Sequence, residues 1–193
     1  MELVATADID TMAERDRRVL ALEDMDTVMR LFQPKILRFV TFSIRDRDAA
    51  QSITQDCFLK AYANRRQFRG DCSVKSWLIR IAFNLILTHE RGRKVRFWKK
   101  VAALSVLPEE MSNHLRSGES SPEAQIIAKQ KIAIVHKALE EISTRQRSVF
   151  LMRFIEDLDI SEIADLTGMS ASTVKTHLHR AVRAIRTRLG ASS

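Results

Sequence analysis

The 193-residue chain has little of what sheets, disulfide scaffolds and membrane spans are built from. It carries only 5 Gly and 3 Pro, too few turn residues for a many-stranded fold. Leu, Ile, Ala, Arg and Lys are abundant instead, which favours helices. Its two cysteines, Cys57 and Cys72, are too few and too far apart for a metal knuckle. No stretch reaches the roughly 18–20 apolar residues that span a bilayer, so no membrane insertion is expected. Residues 1–16 hold five acids and no apolar run, unlike a secretion signal. A cytoplasmic chain with reduced thiols is the expectation. There is no Gly-rich phosphate loop. The carboxylates are dispersed; Asp48 and Asp56 stand eight apart, no cluster for a catalytic metal or a nucleophile with its base.

What is present is positive charge. The net charge is +8, with 20 Lys/Arg against 13 Asp/Glu in residues 1–100 and 12 against 11 in residues 101–193. Such an excess attracts polyanions, nucleic acid first among them. Apolar residues make up 45% of the chain, enough for real cores.

The apolar spacing predicts an all-α protein of two small domains joined by a flexible linker. Residues 1–16 read as a disordered leader. Residues 17–100 form the first domain. Its helices are expected over Arg17–Ser43, where Pro34 starts or kinks a helix, over about Ala49–Asn64, burying Ile53, Cys57, Phe58, Ala61 and Tyr62, and over about Val74–Arg91. A charged turn, Arg45 to Asp48, and a loop, Phe68 to Ser73, separate them. Residues 101–127, with Pro108, Gly118, Pro122 and several serines, read as the linker. Residues 128–193 form the second domain.

The most specific pattern lies over Asp159–Leu189. Asp159 with Glu162 suits a capped helix start. Gly168 suits a left-handed stop, and Ser170 suits the next cap. Val174, Leu178, Val182, Ile185 and Leu189 then form one stripe. The opposite face carries Ser172, Lys175, Thr176, His179, Arg180 and Arg183. A short helix, a tight turn and a longer basic helix are the geometry of a helix-turn-helix, whose second helix enters the major groove. Its cations would neutralise phosphates and its polar groups reach base edges.

A second constellation runs from Phe68-Arg69-Gly70 through Trp77, Arg80, Phe83 and Asn84 into a basic run, His89–Lys100, with six Lys/Arg in twelve residues. Rings, an amide and cations together suit capture of unstacked bases, with stacking worth roughly 1–3 kcal/mol per base.

These residues resemble the extracytoplasmic-function (ECF, group IV) bacterial RNA polymerase sigma factors. Asp48-Ala49-Ala50 and Ile53 through Tyr62 resemble region 2.2. Phe68 through Asp71 and Trp77 through Asn84 resemble regions 2.3 and 2.4. Arg145-Gln146-Arg147, Phe150 through Phe154 and the helix-turn-helix resemble region 4. The resemblance implies a sigma factor that binds core RNA polymerase and directs promoter recognition, DNA melting and transcription initiation. It implies no cofactor and no catalytic residues of its own. Gln55, Asp56, Phe58 and Lys60 would dock on the polymerase. Phe68, Gly70, Asp71, Ser73 and Asn84 would hold a flipped base of the −10 element, and Arg80, Arg91, Arg93 and Lys94 its strand. Ser172, Lys175, Thr176, His179, Arg180 and Arg183 would face the −35 element. The implied partners are core polymerase, promoter DNA and an anti-sigma factor. Gln51 stands where many members carry an acid, and Ile142-Ser143 replaces the usual Leu-Pro. The alternative is a free-standing helix-turn-helix regulator; an enzyme, such as a nuclease, is the third reading.

Overall fold

The computed structural model describes residues 24–103, 135 and 137–190, and every regular element among them is helical. Helix α1 spans Met25–Ile44. Asp24 caps it, its carboxylate accepting from the Thr27 amide (3.1 Å) and hydroxyl (2.6 Å). Pro34 neither starts nor ends this helix. It lies on the exposed side, where water can meet the carbonyl that proline leaves unbonded. Arg45 turns the chain with φ 64°, and its amide closes on the Thr41 carbonyl. Asp46 then caps α2, Arg47–Asn64, so the expected charged turn is only two residues long.

Helix α2 buries Ala50, Ile53, Thr54, Cys57, Phe58 and Ala61, a stripe at helical spacing. A single 3-10 turn, Arg65–Gln67, leads to the loop. Helix α3 spans Val74–Ala103, twelve residues beyond its expected end, because the basic run continues the helix. The leader lies outside the described residues, as does the linker after residue 103; residues 101–103 belong to α3.

The second half repeats the logic with shorter pieces. Residues 137–141 are helical. Helix α4 spans Thr144–Phe154, started by a capping box of Ser143 and Gln146. Helix α5 spans Ile160–Thr167 with a second capping box, Asp159 and Glu162, and it stops at Gly168, φ 69°. Only a residue without a Cβ takes that angle at little cost. Ser170 accepts from the Thr173 amide at 3.2 Å, and α6 follows over Ala171–Gly190.

The two halves are not separated in space. One cluster runs from Val28, Phe39, Ile53, Leu78 and Phe83 in the first half to Val149, Met152, Ile163 and Val174 in the second. A satellite of Ala138, Leu139 and Ile185 sits under the second half alone. Among the described residues, no helix is long and apolar enough to cross a membrane.

Candidate nucleic-acid interface

Helix α6 sorts its residues by face. Val174, Ala181 and Ile185 are buried, and Leu178 and Val182 are half-buried. Ser172, Lys175, Thr176, His179, Arg180 and Arg183 are all exposed. Val174 and Leu178 join the shared core and Ile185 the satellite, which leaves the cationic side of α6 open. Two hydroxyls on this face are already engaged: Thr176 donates to the Ser172 carbonyl at 2.9 Å, and Ser170 and Ser172 share a hydrogen at 2.9 Å. Both tighten the first turn of the helix. His177 turns inward and is half-buried. Burial first, then Arg180 and Arg145, pushes its pKa down, so the imidazole is neutral at neutral pH. It adds no charge to the face that His179 shares with the arginines.

The turn before α5 is built electrostatically as well as by hydrogen bonds. The Asp159 carboxyl accepts from the Ser161 hydroxyl (2.6 Å) and the Glu162 amide (2.8 Å). These bonds hold its pKa below the usual carboxylate value.

On the first half, Gly70 takes φ 75°, which lets the loop reverse before α3. Ser73 is committed to the start of α3: its hydroxyl accepts from the Ser76 amide at 3.0 Å and donates to the Ser76 hydroxyl at 2.9 Å. Asp71 is exposed. Phe68 packs against Trp77 with ring centroids 5.2 Å apart and planes at 49°, a tilted pair that each ring half-buries. Phe83, one of the aromatics of this constellation, is fully buried and belongs to the core.

Arg80 and Asn84 are exposed one turn apart on α3. Asn84 opens onto a cavity of about 170 Å³ shared with Lys60, Asn64, Ile81, Leu85 and Thr88. Ile81 and Leu85 line it together with the polar side chains, and it lies between α2 and α3. Asn64 donates to the Lys60 carbonyl at 2.8 Å, and Thr88 donates to the Asn84 carbonyl at 2.9 Å. Sequence reasoning had Asn84 and, with another role, Lys60, but missed Asn64 and Thr88; α2 brings two of these residues and α3 the others. Phe68, the Gly70 loop and this cavity are not one pocket among its lining residues. Arg91 and Arg93 are exposed farther along α3, Arg93 pairing with Glu90 at 3.2 Å. The side chain of Lys94 lies outside the described residues.

The α2 residues expected to dock differ in exposure. Gln55, Asp56 and Lys60 are exposed, but Phe58 is only 4% exposed. It sits four residues from Thr54 and three before Ala61, inside the buried stripe. Leu59 (67% exposed) and Tyr62 (52%) are turned outward instead, although Tyr62 reads as a core residue from spacing. Tyr62 lies at the edge of the stripe, where the Arg65 guanidinium covers its ring at 4.0 Å. Leu59, three before Tyr62 and four after Gln55, shares their face.

Comparison with known proteins agrees with both halves. The family model described as Sigma-70 region 2 matches residues 28–96, and that described as Sigma-70, region 4 matches residues 132–185. The chain is 30% identical over 146 residues to the RNA polymerase sigma factor SigV of Bacillus subtilis, covering 76% of this chain and 79% of that protein. It is 28% identical over 156 residues to the ECF RNA polymerase sigma-E factor of Escherichia coli, covering 80% of each. Its fold is similar to that of the sigma factor RpoE of Bartonella quintana, solved in complex with the anti-sigma factor NepR: TM-score 0.70 at 22% identity, over 87% of this chain and 98% of that one. With the two modules in the same order and most of SigV matched along its length, the chain belongs to the RNA polymerase sigma factors, of the ECF type.

Proposed function

We propose that the two halves of this sigma factor, a group IV member, divide promoter reading between them while core polymerase supplies the chemistry. The reading is carried by one observation: the six polar and basic residues of α6, from Ser172 to Arg183, are all exposed while the same helix buries its apolar side. Those six residues meet the −35 element in the major groove. Arg80, Arg91, Arg93 and Lys94 hold the strand of the −10 element through phosphates.

Asn84 reads a displaced base at the cavity it shares with Asn64 and Thr88, and Phe68 with Gly70, Asp71 and Ser73 serves the same −10 element from outside that cavity. Extruding a base costs a few kcal/mol of lost stacking, so strand opening is driven by capture and not by nucleotide hydrolysis. The outer face of α2, with Gln55, Asp56, Leu59, Lys60 and Tyr62, docks on the polymerase; the two apolar members supply the area that the exposed charges cannot. An anti-sigma factor is the expected inhibitor, as one binds the Bartonella protein. The chain acts in the cytoplasm, where polymerase is, as a specificity subunit without catalytic residues of its own.

Band shifts on promoter DNA, with and without core polymerase, test this. The free chain is expected to bind duplex weakly and the complex tightly; tight specific binding by the chain alone would favour a free-standing helix-turn-helix regulator. In the complex, Asn84→Ala should lower open-complex formation while leaving polymerase docking intact. Unchanged strand opening would remove Asn84 from the base-reading role.

A further inference from the structure

Beside its basic face, α6 borders a cationic hollow of about 460 Å³, open to solvent between the helical residues 137–141 and the later turns of α6. Glu141 lines one side; Arg180, Arg183, Ala184, Thr187 and Arg188 line the other. Three guanidiniums and a hydroxyl thus stand around one carboxylate, which leaves the hollow positive. Arg188 donates to the Glu141 carboxylate and closes one end. Among the described residues no carboxylate pairs with Arg180 or Arg183.

Position on the helix ties this hollow to DNA. Arg180 and Arg183 belong both to the exposed basic face and to the hollow. Ala184, Thr187 and Arg188 follow Arg180 at four, seven and eight residues, the spacing of one helical face. The hollow therefore prolongs the basic face by more than a turn. From Ser172 to Arg183 that face is already about 17 Å long at 1.5 Å per residue, whereas a major groove is about 12 Å wide. A recognition helix reads base edges with its N-terminal residues, so its later turns lie over the phosphates at the groove's rim. The donors suit that place. Guanidinium forks bind phosphate oxygens in pairs, and a hydroxyl adds a single bond.

An acid is out of place on such a rim, because a carboxylate beside a DNA phosphate repels it. Glu141 nevertheless sits against Arg188, where a phosphate oxygen would sit. The two side chains are 49% and 44% exposed, so water screens the pair and an exchange of partner costs little.

We propose that this hollow is a further DNA-backbone site, in which Arg183, Thr187 and Arg188 hold one phosphate, and that Glu141 stands in for that phosphate in the free chain. This rests on the reading of α6 as the −35 face. On binding, the Arg188 guanidinium passes from the carboxylate to the phosphate, and Glu141 turns to water. Until then the chain shows DNA one cation fewer, which weakens the sequence-independent attraction of phosphates for a basic surface.

The test measures binding of the full chain with core polymerase to a duplex promoter fragment that it transcribes, at several salt concentrations. Glu141→Gln should tighten binding about two- to fivefold, the worth of one exposed ion pair. It should also steepen the slope of log K against log salt by up to about one phosphate. Arg188→Gln should weaken binding and flatten that slope by about one. In an Arg188→Gln background, Glu141→Gln should add nothing. A pair that merely braces the two helices predicts the opposite sign, weaker binding by Glu141→Gln. That result, an unaltered slope for Arg188→Gln, or an undiminished gain from Glu141→Gln without Arg188 would each overturn the proposal. Lys175→Gln is measured beside them. If it too leaves the slope unaltered, the −35 reading of α6 fails; if it alone flattens the slope, only the hollow fails.

Discussion

The two halves hold themselves together by different means. The first is built on large side chains: Phe39, Phe83, Ile36, Leu78, Ile79 and Ile86 are fully buried where α1, α2 and α3 meet. The second has a thinner private core of Ala138, Leu139 and Ile185, two capping boxes, and apolar residues lent to the common cluster, Val149, Met152 and Val174 among them. Buried volume stabilises the first half, whereas local hydrogen bonds and a borrowed neighbour stabilise the second. The half that carries the exposed basic face of α6 is thus the one least dependent on its own interior.

Three measurements sharpen or break that contrast. The largest effect is expected at Phe83→Ala, which empties the middle of the first half and should cost about 3–5 kcal/mol of unfolding free energy in urea. A loss under about 1 kcal/mol would mean that the aromatic core does not dominate there. Ser143→Ala removes the hydroxyl that accepts from the Gln146 amide at 3.3 Å and should cost about 1 kcal/mol by the same assay. If this change cost as much as Phe83→Ala, the division between core and caps would not hold.

The smallest effect concerns acid. Hydrogen bonding lowers the pKa of Asp159 in the folded state, so the unfolded chain binds its proton more readily. The contribution of Asp159 to stability is therefore present above its unfolded pKa and is lost as pH falls through its lower folded pKa. Asp159→Asn should flatten that part of the acid limb of stability against pH, and an unaltered limb would show that this cap is not the titrating element.

Legibility followed the range of the forces involved. The helix-turn-helix could be read because its signals are short: a cap and its partner three residues on, a glycine that accepts φ 69°, and an apolar stripe stepping by three or four. The face of α2 was only half legible. Phe58 and Tyr62 are both aromatic and four apart, yet one is buried and the other turned out, since the width of the stripe depends on what packs against it. The cavity at Asn84 was legible at one residue, because it forms only where Lys60 and Asn64 of a second helix close over Ile81, Leu85 and Thr88 of its own. Pro34 illustrates the reverse case: its chemistry offers a helix start or a kink, and the packed helix runs from Met25 through it, so it is not the start.

The order of helices, their caps and the sorting of α6 into a basic and an apolar side were determined by the sequence itself, because each depends on groups within about four residues of one another. Which residues of α2 face outward, what surrounds Asn84, and whether the halves lie together were decided only in the tertiary structure. Arg147 and Ser43 stand 104 positions apart, and no local period can announce a bond that forms only when two separately patterned surfaces meet.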